Sequence, residues 1–88
     1  MPLFYFDVRE GSCFISDADG IELHDLDAAE REAAEAAAEL GRERLSFSKD
    51  RSIVIEVRNE HGQRILTATV SLQIVRVKPP PSRPPTAI

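Results

Sequence analysis

The segment from Leu23 to Leu45 constrains the fold more than any other part of the chain. Its small and apolar residues recur every three or four positions, which places them on one face of an α-helix. These residues are Leu26, Ala29, Ala33, Ala36, Ala37 and Leu40. Glutamates occupy the other faces, and both residue types favour helix. Asp25 or Asp27 can cap the first turn, and the helix ends at Gly41 or continues to the end of the segment.

The residues before this helix predict short strands. Leu3–Val8 alternates between large apolar and other residues, as a half-buried strand does. A turn at Glu10–Ser12 leads into a returning strand at Cys13–Ser16, and Asp17–Gly20 forms a second turn before the helix. We expect three large residues of this region in the core: Phe14, Ile21 and Leu23.

Two longer strands follow the helix. Ile53–Arg58 alternates cleanly, Asn59–Gly62 is a strong hairpin-loop signal, and Arg64–Val77 alternates again. The inner face of this last strand is predicted to carry Leu66, Ala68, Val70, Leu72 and Ile74. A proline-rich stretch at 79–88 then ends regular structure and is expected to be an extended, flexible tail.

The order of elements predicts an α+β fold, in which an antiparallel sheet of about four strands (β-β-α-β-β) carries one helix on one face. The chain of 88 residues is long enough for one compact domain, which we expect at 1–78. One helix covers one sheet face. The opposite face is therefore the candidate interaction face, and a homodimer can form through it. Its predicted residues are Leu3, Tyr5, Val54, Thr67 and Thr69.

The sequence indicates a cytoplasmic protein without metal or cofactor. Cys13 is the only cysteine, so no internal disulfide can form, and we expect this thiol to be a small buried residue. No stretch has the length of a transmembrane helix or the pattern of a signal peptide, and we expect no membrane association.

Residues that could carry chemistry have simpler structural interpretations. Asp17–Gly20 resembles part of a calcium loop. However, the first ligand position would fall on Ile15 and the bidentate position on Leu26, so we predict a turn. His24 and His61 are expected at the surface, and the glutamates of the helix are expected to be solvated. We therefore predict that the protein is not an enzyme.

One basic concentration offers an alternative function. It consists of Arg42, Arg44, Lys49 and Arg51, at the end of the helix and in the following connector. Such a patch is compatible with a small regulatory nucleic-acid-binding protein. The net charge of -4 and the acidic helix make this second to a protein-interaction or structural module. A ligand or metal sensor is a third alternative.

Three stretches resemble a family of short alphaproteobacterial proteins of unknown function, of the kind found in rhizobia. They are YFDVREG at 5–11, DADGIELHDLDAAEREA at 17–33 and IEVRNEHGQRILTATVSL at 55–72. The resemblance implies a bacterial protein with a single compact domain. It implies no activity, cofactor or partner.

Overall fold

The computed structural model describes residues 1–45 and 51–77. In these residues, one antiparallel sheet of five strands carries one helix. The elements are β1 (Leu3–Glu10), β2 (Cys13–Ile15), β3 (Ile21–Glu22), α1 (Leu26–Arg44), β4 (Arg51–Asn59) and β5 (Arg64–Leu72). The predicted α+β class is confirmed, and the two-residue β3 is added to the predicted order. The predicted tail at 79–88 and Lys49 of the predicted basic patch lie outside the described residues.

The first strand lies at the centre of the sheet, in the order β2-β1-β4-β5. β4 pairs with β1 along its length, from Phe4 opposite Asn59 to Glu10 opposite Ile53. The other edge of β1 is shared, because β2 pairs with its end and β3 pairs with its beginning. The β4–β5 hairpin loop is confirmed at its predicted position, where Gly62 has a φ of 79° and donates its N–H to the Asn59 carbonyl.

α1 begins at the first of the two predicted caps. The Asp25 carboxylate accepts the N–H of Ala28 at 2.9 Å, and the helix continues through Gly41 to Arg44. Gly41 is therefore an interior residue of the helix. A Cβ atom at this position would lie 2.9 Å from Cγ2 of Val70. The missing side chain thus lets the helix approach β5 closely.

The core lies between α1 and the centre of the sheet. Four small residues at intervals of four form the buried stripe of the helix: Ala29, Ala33, Ala37 and Gly41. The largest fully buried side chains belong to β4 and are Ile53, Ile55 and Val57. Short side chains on the helix and branched ones on the strand fill the space together, so the strands supply most of the buried volume.

Several predicted core residues are exposed. Leu26, Phe14, Ile21 and Ile74 are 48%, 44%, 40% and 51% exposed, and Cys13 is also exposed. The predictions that placed these residues in the core were wrong. α1 packs closely on β4 and β5, which leaves Cys13 and Ile21 on the β2 and β3 side less covered. Phe14 pairs with Arg9 and lies on the sheet face away from α1. Ile74 lies beyond the last residue of β5.

Within the described residues, no helix combines the length and the apolar character needed to cross a membrane.

Candidate functional site

The sheet face opposite α1 carries a set of paired charges. Asp7 of β1 lies directly opposite Glu56 of β4. Both residues are buried, with only 5% and 7% of their surface exposed. Two carboxylates in this position would repel each other. Each one instead pairs with an arginine on the other strand, Asp7 with Arg58 at 2.8 Å and Glu56 with Arg9 at 2.9 Å. The diagonal pairs neutralise the face and join β1 to β4.

Arg58 connects three parts of the fold. Its Nε donates to Oδ2 of Asp7, and its Nη2 donates to the carbonyl oxygen of Asp17 at 3.0 Å. The guanidinium also lies over the ring of Tyr5, 4.5 Å from the ring centroid. These contacts hold the loop between β2 and β3 against the open face.

The Asp17 carboxylate takes the place of a strand carbonyl at the edge of β1. Its Oδ2 accepts the N–H of Phe6 at 3.1 Å, between the positions that pair with β2 and those that pair with β3. Its Oδ1 accepts the N–H groups of Asp19 and Gly20 at 3.1 and 3.2 Å. The predicted turn is confirmed, with Gly20 at a φ of 76°. Among the described residues, no group of three or more His, Cys, Asp or Glu could hold a metal ion.

Asp7 and Asp17 are held in their charged forms. Burial opposes ionisation of Asp7, but hydrogen bonds from Arg58 and from the N–H of Asp17 outweigh it and lower the pKa of the carboxyl. Burial likewise opposes ionisation of Asp17, and the three backbone N–H groups lower its pKa in turn. The hydrogen bond to Asp7 raises the pKa of Arg58. A general acid or base at neutral pH needs a pKa near 7, so these groups are tuned in the opposite direction.

Glu56 forms a second group of contacts with two arginines. Besides the Arg9 bond, Nη2 of Arg64 lies 2.9 Å from its Oε1, although Oε1 has no hydrogen bond of good alignment. Arg9 also lies over the ring of Phe14, 4.6 Å from the centroid. The two arginine side chains are 46% and 60% exposed, so solvent screens each pair.

All five residues of the predicted interaction face lie on the open face, but they form two separate groups. Gly20 packs against Leu3 and Tyr5, since an added Cβ would lie 3.0 Å from Cε2 of Tyr5 and 3.2 Å from Cγ of Leu3. The protein's own loop therefore covers this end. Val54 lies directly opposite Thr69, and Thr67 and Thr69 are exposed. These three residues form the accessible part, next to the outer edge of β5.

The predicted basic patch is only partly described. Nη1 of Arg44 pairs with Oε1 of Glu10 at 2.9 Å, which ties the end of α1 to the end of β1. Arg42 lines a groove beside β5. Lys49 and the side chain of Arg51 lie outside what the structure describes. The two histidines are exposed, as predicted.

The groove beside β5 has a volume of about 260 Å³ and lies at the outer edge of the sheet. Its walls come from the C-terminal half of α1, including Ala38 and Gly41, and from Val70–Leu72 of β5. Within residues 1–45 and 51–77, β5 has β4 as its one neighbour, so its outer backbone groups have no strand partner there.

Sequence reasoning did not identify the Asp7–Arg58–Asp17 cluster. The available signal was the charged residues at outward-facing positions of predicted strands. Their mutual pairing depends on β1 lying beside β4. In the sequence, 40 residues separate the end of β1 at Glu10 from the start of β4 at Arg51. No local pattern encodes that adjacency.

These features define a small α+β domain with a charge-neutralised sheet face and, among the residues described, one long strand edge without a strand partner. Residues 3–71 match a domain of unknown function (DUF6894), and because the match covers most of the chain, the chain belongs to that family. The predicted resemblance to a family of unknown function is thereby confirmed, while its bacterial range stays a prediction. No curated protein and no solved structure matches the chain.

Proposed function

We propose that the chain is a non-catalytic protein-interaction module that works as a homodimer. The observation that carries this proposal is the outer edge of β5, a strand of nine residues with a single strand neighbour among the described residues. Unpaired N–H and C=O groups along such an edge are a template for pairing with another strand. The accessible Val54, Thr67 and Thr69 adjoin this edge and extend the neutral surface.

The electrostatics support a non-catalytic role. Asp7, Asp17 and Arg58 form one cluster of ionisable groups in the described part of the chain, and each has its partners within the domain. Their pKa shifts favour the charged forms, which suits a structural clamp. The cytoplasmic location and bacterial origin inferred from the sequence belong to the same proposal.

Nucleic-acid binding is the second candidate from the sequence. Its residues within the described part are Arg42 and Arg44, of which Arg44 pairs with Glu10 and Arg42 lines an apolar groove. These contacts favour a structural role for the two arginines. A ligand or metal sensor is supported less, because the oxygens of Asp17 already accept three backbone N–H groups.

Sedimentation velocity of the untagged protein over a wide range of concentration tests the proposal. We expect a species of twice the 9.8 kDa monomer mass that dissociates on dilution. A monomer mass at every concentration would overturn it. Native mass spectrometry of protein isolated from its own cells supplies the second readout. A bound nucleic acid, or salt-sensitive binding that Arg42→Ala with Arg44→Ala abolishes, would favour the alternative.

A further inference from the structure

We infer that two copies join through antiparallel pairing of their β5 strands about a two-fold axis at Ala68, with their α1 helices side by side across the same axis. This inference rests on the proposed homodimer and names its surfaces. The occupant of the free edge and of the neighbouring groove is thus a second copy of this chain.

The central five residues of β5, 66–70, are self-complementary about Ala68. Pairing centred on Ala68 uses all nine residues of β5 and places Thr67 opposite Thr69 of the second copy. On the other face it places Leu66 opposite the second copy's Val70. Threonine pairs and aliphatic pairs are favourable cross-strand neighbours. If the pairing of the two β5 strands shifted by one residue, open-face residues of one copy would lie opposite helix-face residues of the other. Such a register would put the two helices on opposite faces of the sheet, so it is excluded when both helices lie on one face.

The position of α1 suits this arrangement. The helix packs on both β4 and β5, so we infer an axis roughly midway between the two strands. Strands in a sheet are about 4.8 Å apart, so the two helices of a continuous sheet would lie about 10 Å apart. Helices pack at about 8–10 Å when the residues between them are small. Pairing of the two β5 strands would therefore place the two α1 helices at a distance at which helices pack against each other.

The flank of α1 that faces the edge carries small residues at its centre. Ala38 lines the groove beside β5, and Ala34 lies one turn earlier on the same flank; both are exposed. Glu30 and Arg42 continue this row of positions in the two directions. In an antiparallel helix pair centred between the two alanines, Glu30 of one copy comes opposite Arg42 of the other. The flank is thus complementary to itself in size and in charge.

Disulfide cross-linking between two variants tests the strand register. Thr67→Cys and Thr69→Cys are made separately, each with Cys13→Ser, because Cys13 is exposed. In the inferred register positions 67 and 69 are directly opposite, at a Cα distance of about 4.5–5.5 Å that a disulfide can span. Identical positions lie on the diagonal at about 7–8 Å, beyond that range. We expect a cross-linked dimer from the mixture and none from either variant alone.

A substitution on the helix flank tests the second contact. Ala38→Glu places two like charges close to the axis, and we expect it to raise the dimer Kd at least about tenfold. Ala38→Ser keeps the residue small and should leave the Kd nearly unchanged. Arg31→Gln makes the same change in net charge at an exposed position outside this flank and is the matched control. Circular dichroism and cooperative urea unfolding of each variant show that the fold is retained.

The outcomes separate the two proposals. A monomeric wild-type protein overturns the homodimer and this inference with it. A wild-type dimer that gives no mixed cross-link and tolerates Ala38→Glu overturns the inference and leaves the homodimer standing. A mixed cross-link together with an unchanged Kd for Ala38→Glu overturns the helix contact alone. A heteromeric complex with monomeric free protein overturns the choice of a second copy as occupant.

Discussion

Gly41→Ala should destabilise the wild-type protein but stabilise a variant in which Val70 is replaced by alanine. Gly41 lies inside α1, where alanine is favoured over glycine by about 1 kcal/mol. The new Cβ would lie 2.9 Å from Cγ2 and 3.3 Å from Cγ1 of Val70. Carbon atoms pack best at about 3.5–4.0 Å, so the helix or the valine must move by about 0.6 to 1.1 Å.

The magnitude follows from two opposed terms. Valine is branched at Cβ and has few rotamers, so it cannot turn away from the new methyl group without cost. Overpacking of a close contact costs about 1–3 kcal/mol. Set against the helix preference, Gly41→Ala should destabilise the wild-type protein by up to about 2 kcal/mol. In a Val70→Ala background the clash disappears, and the same change should stabilise the protein by about 1 kcal/mol.

Urea denaturation of the wild type, both single variants and the double variant measures this coupling as a double-mutant cycle. All four are compared at a protein concentration low enough for each to be monomeric, so that self-association does not contribute. Stabilisation by Gly41→Ala of the same size in both backgrounds would refute the reasoning. It would mean that α1 does not approach β5 as closely as the 2.9 Å distance indicates.

The paired charges of the open face lead to two further predictions. Asp7→Ala should lower the free energy of unfolding by about 1–3 kcal/mol, because it removes the buried acceptor of the Asp17 N–H and of Arg58 Nε. Arg58 is itself 30% exposed and keeps the Asp17 carbonyl, which limits the cost. Arg64→Ala should cost less than about 1 kcal/mol because its pair with Glu56 is solvent-screened, and equal costs for the two variants in urea denaturation would contradict this. The lowered pKa values of Asp7 and Asp17 mean that the unfolded state binds protons first as the pH falls. Their stabilisation should therefore be complete above the unfolded value of about 3.9 and decline below it, towards the lower folded values. Denaturation midpoints at pH ~7, ~5 and ~3 check this, and an unchanged pH dependence in Asp7→Asn would argue against it.

Much of the fold follows from local patterns in the sequence. The period of the alanine stripe marks α1, and Asp25 or Asp27 marks its beginning, of which the structure selects Asp25. Alternation in 53–58 and the Asn59–Gly62 loop identify the β4–β5 hairpin. These features depend on residues close together in the chain, since helix period, strand period and turn geometry are local properties.

The exposure of the predicted core residues depends on which strands and which sheet face α1 covers. Ile21 is a large apolar residue opposite the buried Phe4, yet α1 lies over β4 and β5 and leaves Ile21 partly in solvent. Phe14 lies opposite Arg9, on the sheet face away from α1. The role of Gly41 also depends on the tertiary structure. In the sequence it indicates a helix end, whereas in the fold it is the point of close approach to Val70.

The sequence by itself therefore determined the class of the domain, its long strands and helix, and the buried stripe of α1. The tertiary structure decided which strands are neighbours, and with them the ion pairs of Asp7 and Glu56 and the place of β5 at the edge of the described sheet. The physical reason is range. Helix and strand periods depend on residues that are close together in the sequence. A contact between distant segments depends on how all the elements pack around one core.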